Sequence, residues 1–147
     1  MNQQEILDKL PYQKPFLFVD QIEQINENGV SGSYIFMDTA DFYKGHFKNE
    51  PVTPGVILTE CCAQIGLVCL GLYLFADSSL EDIQIGMSSS EMEFYIPVLP
   101  NEKVQVVSEK IYFRFNKLKC KVKMYNEKNE LVCKGSLAGM FKVTSNE

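Results

Sequence analysis

An almost uninterrupted apolar run from Pro54 to Phe75 constrains the fold of this chain more than any other feature. The run is long enough to cross a bilayer as a helix, which takes about 20 apolar residues. It contains Glu60 and Gln64, however, and such side chains are costly in lipid. A helix that is apolar on all sides is otherwise a buried helix. We therefore predict a buried central helix, with Thr53 as its N-cap and Pro54 at its first position, and no membrane insertion.

The segments on either side of this run have the patterns of strands and turns. Residues 2–9 predict a short amphipathic helix, Asn28-Gly29 and residues 126–129 predict turns, and Asp77-Ser78-Ser79 is predicted to end the central helix. Residues 38–53 have no clear period and are predicted to be a loop. We expect five or six strands, most of them after the central helix, from candidate segments at residues 17–25, 30–37, 84–87, 91–96, 104–115, 117–124 and 131–143.

The segment from Lys117 to Met124 alternates strictly between lysine and apolar residues. This pattern predicts a strand with one buried face and one solvated lysine face. A strand at the edge of the sheet, protected by lysines against aggregation, is the alternative interpretation. The apolar face comprises Leu118, Cys120, Val122 and Met124.

An apolar helix needs to be covered on all sides, and an antiparallel sheet needs one face covered. A curled antiparallel sheet around one central helix meets both needs, and this is the α+β arrangement called the hot-dog fold. Periodicity alone does not separate it from other α+β sandwiches. The length of 147 residues is that of one ordinary domain, so we expect residues 1–147 to form a single hot-dog domain.

Composition excludes several classes of function. The net charge of -5 argues against a nucleic-acid-binding surface, and the single histidine excludes a site of several histidines within one chain. The odd number of cysteines and the absence of a Cys-x-x-Cys pair fit a reducing compartment, and the N-terminus lacks a signal-peptide core. We therefore expect a cytoplasmic protein whose cysteines are buried packing residues, namely Cys61, Cys62, Cys69, Cys120 and Cys133.

Candidate chemistry lies where the loop meets the apolar helix. His46 can move a proton near neutral pH, and the first helical turn at Gly55 offers N–H groups to a developing oxyanion. Burial of Glu60 favours its protonated form, and Gln64, one turn further, can hold that carboxyl. A base, an acid and an oxyanion site suit elimination or addition next to a carbonyl. Each residue also has a structural interpretation, since a loop histidine is more often non-catalytic and a buried glutamate can bond to a backbone amide or a partner subunit.

Several aromatic residues accompany this constellation. Core or interface packing is the simpler interpretation of these side chains, and the lining of an acyl tunnel is the alternative. They are Phe42, Tyr43, Phe47, Phe94 and Tyr95.

Four segments of the sequence are similar to motifs of one enzyme family. They read Leu10-Pro-Tyr-Gln-Lys-Pro-Phe-Leu-Phe-Val-Asp20, Gly45-His-Phe-Lys-Asn-Glu-Pro-Val-Thr-Pro-Gly55, Glu60-Cys-Cys-Ala-Gln64 and Phe94-Tyr-Ile-Pro-Val-Leu-Pro100. They resemble the FabZ/FabA-type 3-hydroxyacyl-acyl-carrier-protein dehydratases, which have the hot-dog fold. The resemblance covers most of residues 10–105 and keeps the family interval between the histidine and the glutamate.

The chain also departs from the family pattern. Tyr12 and Gln13 replace the usual His-Arg, and Lys48 replaces the proline after His-Phe. The segment Glu91-Met92-Glu93 stands where basic residues are usual. Because acyl carrier proteins are acidic, this change would weaken carrier docking or move it elsewhere. A specialised relative in a polyketide-like or pigment pathway is therefore as consistent with the sequence as a fatty-acid-cycle enzyme.

The resemblance implies a role for each matched residue. His46 would remove the C2 proton of a 3-hydroxyacyl thioester, and Glu60 of the neighbouring subunit would protonate or orient the departing C3 hydroxyl. The Gly55 N–H would polarise the thioester carbonyl, the Val52 carbonyl would hold the His46 tautomer, and Gln64 would position Glu60. The product would be a trans-2-enoyl thioester.

The resemblance also implies the partners. The substrate would be carried as an acyl-phosphopantetheine on acyl carrier protein, or as acyl-CoA. No metal and no organic cofactor is expected, and the protein is expected to be a homodimer or a trimer of such dimers. Two rival functions remain open, a hot-dog acyl thioesterase and a non-catalytic acyl-thioester-binding subunit.

Overall fold

The computed structural model describes residues 1–75 and 82–144, and it packs one long helix against a six-stranded antiparallel sheet. The sheet order is β1-β2-β4-β5-β6-β3, so β1 and β3 are its edges. This is the predicted α+β hot-dog architecture. The strands are β1 (Gln21–Asn26), β2 (Gly29–Ile35), β3 (Asp82–Phe94), β4 (Lys103–Arg114), β5 (Lys117–Tyr125) and β6 (Leu131–Thr144).

The central helix extends over Gly55–Leu74. It consists of α2 (Gly55–Ala63), a π-helical segment (Gln64–Cys69) and α3 (Leu70–Leu74), and it follows a short N-terminal helix α1 (Gln3–Lys9). Its length and composition would suffice to cross a membrane, but 72% of its most apolar window is buried inside the protein. The structure therefore agrees with the interpretation of this apolar run as a core helix.

The start of the central helix differs from the sequence prediction. Thr53 is not the N-cap, because its hydroxyl is hydrogen-bonded to the hydroxyl of Tyr43 and both side chains are buried. Pro54 takes the N-cap position, without a side-chain capping bond. The predicted helix-ending residues Asp77-Ser78-Ser79 lie outside the described residues. The loop predicted before the helix contains one short 3-10 helix, Asp41–Lys44.

Two strand predictions need correction. The segments predicted at 84–87 and 91–96 are one strand, β3, whose register shifts between Met87 and Ser89. Strand β1 begins at Gln21 rather than at residue 17. The reason is that the backbone groups of Phe16 and Phe18 bond to side chains of the central helix instead of to a neighbouring strand.

Strand β5 has the predicted alternation of buried and more exposed side chains, but it does not lie at the edge of the sheet. It lies between β4 and β6 in the middle of the sheet, so the interpretation as a protected edge is wrong. Its four apolar residues are fully buried, which confirms the inward face, and its lysines belong to the other face. The buried residues are Leu118, Cys120, Val122 and Met124.

Candidate active site

His46 lies in a loop that is closed by its own hydrogen bonds. The N–H of Val52 donates to the His46 carbonyl at 2.9 Å, and Nδ1 of His46 lies 2.9 Å from the Val52 carbonyl oxygen. Because a carbonyl only accepts, Nδ1 carries the proton of the neutral ring and Nε2 keeps a free lone pair. The contact expected between Val52 and His46 is therefore present, and it leaves His46 in the tautomer of a general base.

A cleft of about 330 Å³ opens beside this histidine. Its lining includes His46, Val52 and Gly55, together with the partly exposed rings of Phe47, Phe94 and Tyr95. The cleft thus combines one imidazole and one phenol with broad apolar walls. Such a shape can hold an acyl chain next to a polar reacting centre.

Gly55 is the first residue of the central helix, where backbone N–H groups have no acceptor within the helix. Among the residues that the structure describes, none accepts the Gly55 N–H. The ring of Phe94 packs against this glycine, since a Cβ added at Gly55 would lie 3.4 Å from two of its carbons. An aromatic wall therefore lies against a free backbone donor.

Glu60 and Gln64 form a second group of polar side chains. They lie further along the central helix than Gly55. Nε2 of Gln64 donates to Oε2 of Glu60 at 3.0 Å and to the Phe16 carbonyl at 3.1 Å. Oε1 of Gln64 accepts the Phe18 N–H at 2.8 Å. Gln64 is completely buried. It bonds to one oxygen of the Glu60 carboxyl, and this is the predicted contact between the two side chains.

Burial raises the pKa of the Glu60 carboxyl, and the hydrogen bond from Gln64 only partly opposes this effect. The direction agrees with the expected protonated acid. Tyr12 lies in the same environment, where burial and then the negative charge of Glu60 raise its pKa to about 12.

The two groups of polar residues remain apart within one chain. His46, Val52 and Gly55 line the cleft, whereas Glu60 and Gln64 do not belong to its lining. The aromatic residues noted in the sequence also fall into two groups, one packed in the core and one at the cleft. Tyr43 is buried and packs on Phe42, while Phe47, Phe94 and Tyr95 line the cleft.

Comparison with known proteins identifies the family. The sequence profile of the FabA-like domain matches residues 10–138. The chain belongs to the FabA-like family. The 3-hydroxyacyl-acyl-carrier-protein dehydratase FabZ of Petrotoga mobilis is 31% identical over 121 residues, which cover 82% of this chain and 84% of that protein.

Solved structures of other proteins share the fold of this chain. The dehydratase heterocomplex ApeI:P of Xenorhabdus doucetiae has a TM-score of 0.78 at 10% identity, covering 97% of this chain and 91% of that one. A mutant thioesterase of Pseudomonas aeruginosa has a TM-score of 0.70 at 9% identity, covering 98% and 96%. Dehydratases and thioesterases therefore share this fold, and only the site chemistry can separate them.

Proposed function

We propose that this protein is a dehydratase that removes water from a 3-hydroxyacyl thioester and leaves the trans-2-enoyl thioester, in fatty-acid or related biosynthesis. The observation that carries the proposal is the hydrogen bond of 2.9 Å between Nδ1 of His46 and the Val52 carbonyl. It makes Nδ1 the donor nitrogen and leaves Nε2 as the free ring nitrogen of a histidine that lines an apolar cleft. This arrangement suits removal of a proton from carbon next to a thioester carbonyl.

The proposed reaction uses three groups of the protein. Nε2 of His46 takes the proton from C2, and the electron pair of that bond forms the C2–C3 double bond. The protonated Glu60 carboxyl gives its proton to the C3 hydroxyl, which leaves as water when the C3–O bond breaks. The free N–H of Gly55 stabilises the negative charge that develops on the thioester oxygen. Transfer of the proton from His46 back to Glu60 restores both groups.

The proposal places each site between two subunits of a homodimer. Within one chain, Glu60 lies outside the cleft that His46 lines, so a second copy would supply the acid. Exposed apolar side chains near both polar groups support such an interface. Phe16 is 47% exposed, Phe47 59% and Val56 77%. Dimerisation would bury these surfaces.

The substrate is proposed to arrive on the phosphopantetheine arm of acyl carrier protein, or as acyl-CoA. The rim of the cleft is of mixed charge, because Glu93 accepts a hydrogen bond from Tyr95 at 2.7 Å and the ammonium of Lys134 lies 6.0 Å from the Tyr95 ring. An acidic carrier would therefore meet both repulsive and attractive charges at this rim. The cytoplasmic location and the association of dimers into larger assemblies stay predictions.

The test measures the enoyl product and the released thiol in the same reaction. Purified protein is given 3-hydroxybutyryl-CoA, and enoyl absorbance is recorded while a thiol reagent reports free CoA. A dehydratase produces enoyl absorbance without thiol. Release of thiol without enoyl product would instead identify the thioesterase that shares this fold. Binding of the thioester with neither product would identify a non-catalytic binding subunit.

A further inference from the structure

The carbonyl that binds His46 belongs to the peptide unit between Val52 and Thr53. The oxygen of this unit lies 2.9 Å from Nδ1 of His46, and its N–H donates to the Val98 carbonyl at 2.8 Å. The unit is trans, so its oxygen and its N–H point in opposite directions. Val98 is completely buried. One rigid peptide unit therefore connects the His46 ring to a fixed point in the core.

The side chain of Thr53 ties the same peptide unit to the segment that precedes His46. Its hydroxyl is hydrogen-bonded to the hydroxyl of Tyr43, and the two residues are only 4% and 6% exposed. Tyr43 lies in the 3-10 helix Asp41–Lys44, shortly before His46. The His46 N–H in turn donates to the Phe42 carbonyl at 3.0 Å. The bond between Tyr43 and Thr53 thus joins the two ends of the loop that contains His46.

A hydrogen bond between two buried hydroxyls fixes direction as well as distance. Burial raises the pKa of the Tyr43 phenol, so this group keeps its proton at neutral pH. A hydrogen bond weakens steeply when the donor turns away from the acceptor, whereas an apolar contact has no preferred direction. The bond from Tyr43 to Thr53 therefore resists rotation of the adjoining peptide unit more than an apolar contact of the same size would.

We propose that Tyr43 and Thr53 are positioning residues, whose hydrogen bond holds the Val52 carbonyl against Nδ1 of His46. This role rests on the proposed dehydration, because His46 is the base of that reaction. A carbonyl at Nδ1 favours the neutral tautomer with the proton on Nδ1, and this tautomer leaves Nε2 free to take the C2 proton. Tyr43 and Thr53 act through the backbone of Val52 and take no proton from the substrate.

Three variants separate positioning from stability. Thr53→Val and Tyr43→Phe each remove one hydroxyl and leave the other buried without its partner, which destabilises the protein. The double variant removes both hydroxyls, and replacement of both partners by apolar groups of similar shape can be nearly neutral for stability. With a positioning role, the double variant should recover thermal stability but not the single tautomer of His46. A purely structural bond would instead let both recover together. Thr53→Ser keeps the hydroxyl and should retain both properties.

The state of the histidine is measured by nitrogen NMR, which needs no substrate. His46 is the only histidine of the chain, so protein with isotopically labelled histidine ring nitrogens gives one pair of signals. At alkaline pH, where imidazole is neutral, the unmodified protein should show a protonated Nδ1 and an unprotonated Nε2. In the double variant the two signals should move toward each other, because the ring exchanges between both tautomers. Unchanged signals, or a proton on Nε2 in the unmodified protein, would overturn the proposal. Thr53→Val alone gives the same comparison if the double variant does not fold.

The matched control is Ser108→Ala. Oγ of Ser108 donates to the Gly66 carbonyl at 3.0 Å, so Ser108 also forms a buried hydroxyl bond, but with the middle of the central helix. Its loss should lower thermal stability and leave the histidine signals and the rate unchanged. A shift of the signals in this control as large as in the double variant would show that they respond to stability alone, which also overturns the proposal.

Kinetics connect the state of the histidine to the reaction. The double variant should lower kcat for the hydration of crotonyl-CoA about 3- to 10-fold and leave KM almost unchanged, because the base is misplaced while the walls of the cleft remain. If the unmodified protein is active and the double variant has the same kcat, only the positioning role fails. If the unmodified protein has no such activity, the proposed dehydration fails, and the NMR comparison still decides whether Tyr43 and Thr53 hold the histidine.

Discussion

His46 and Glu60 are the two side chains whose surroundings suit proton transfer, and each depends on a neighbour for its state. A backbone carbonyl fixes Nδ1 of the histidine as the donor nitrogen, and burial raises the pKa of the glutamate. Residue type alone does not predict these features, because a solvent-exposed glutamate ionises well below neutral pH. The positions of Val52 and Gln64 therefore matter as much as those of the reacting groups.

Removing either reacting group should abolish most of the activity without unfolding the protein. We expect His46→Ala and Glu60→Gln each to slow the hydration of a crotonyl thioester by about 10²–10⁴-fold, the usual contribution of one positioned acid or base. The measurement is the loss of enoyl absorbance, with thermal melting as the control for folding. A rate near that of the unmodified protein for Glu60→Gln would make Glu60 a structural acid.

The raised pKa of Glu60 also predicts how stability depends on pH. Below its ordinary pKa near 4.5, Glu60 is protonated in both the folded and the unfolded chain. As the pH rises, the unfolded chain ionises first, so the contribution of this group to the free energy of unfolding falls until the raised pKa is passed. Melting of the unmodified protein and of Glu60→Gln from about pH 4 to about pH 8 measures this effect. The unmodified protein should lose stability relative to the variant as pH rises, and a constant difference would contradict the raised pKa.

At the scale of elements, small residues let the central helix approach the sheet closely. Gly66 lies under β4 and β5, where its carbonyl accepts a hydrogen bond of 3.0 Å from Oγ of Ser108 and an added Cβ would lie 2.9 Å from Val122. Gly71 faces β6, and a Cβ there would overlap the buried ring of Phe141. The helix is therefore packed through its backbone at these two positions.

Substitution of Gly71 should reveal this close packing. Alanine is the better helix former by about 1 kcal/mol, but the overlap with Phe141 requires a shift in a dense core. We expect Gly71→Ala to reduce the free energy of unfolding by about 1–3 kcal/mol. The matched control is Gly86→Ala on the edge strand β3, because a Cβ at Gly86 meets no atom within 4 Å. Chemical denaturation measures both, and equal stability of the two variants would disprove the packing argument.

At the scale of the whole molecule, one chain contains both polar groups of the proposed site, but only His46 lines the cleft and Glu60 does not. Strand β3, with 13 residues, lies at an edge of the sheet and leads directly to Phe94 at the cleft. A second copy placed against this side by a two-fold axis would give two equivalent sites. Each site would combine His46 of one chain with Glu60 of the other.

A mixing experiment tests this shared site. Inactive His46→Ala and inactive Glu60→Gln are refolded together, so that about half of the dimers are mixed if pairing is random. Each mixed dimer has one intact site and one site with both defects, so activity should approach about a quarter of that of the unmodified protein. Each variant refolded alone should stay inactive. If verified mixed dimers are inactive while unmodified protein survives the same refolding, the shared site is wrong.

The amino-acid sequence alone determined the buried central helix, the inward face of β5 and the residues of the candidate site. These features depend on local periods and on a short, distinctive interval from His46 to Gln64. A continuous apolar run leaves a helix no exposed face, and strict alternation leaves a strand only one buried face. Such information lies within a few neighbouring residues and does not depend on how the chain folds back on itself.

Only the tertiary structure decided which distant segments meet. It placed β5 in the middle of the sheet, joined two predicted strands into the edge strand β3, and bound Phe18 to Gln64 across 46 residues of sequence. It also joined the hydroxyl of Thr53 to that of Tyr43 by a hydrogen bond, so that Thr53 does not cap the helix. The physical reason is that a strand pattern specifies a buried face but no partner strand, and a polar side chain bonds to whichever group the packing of the core brings within reach.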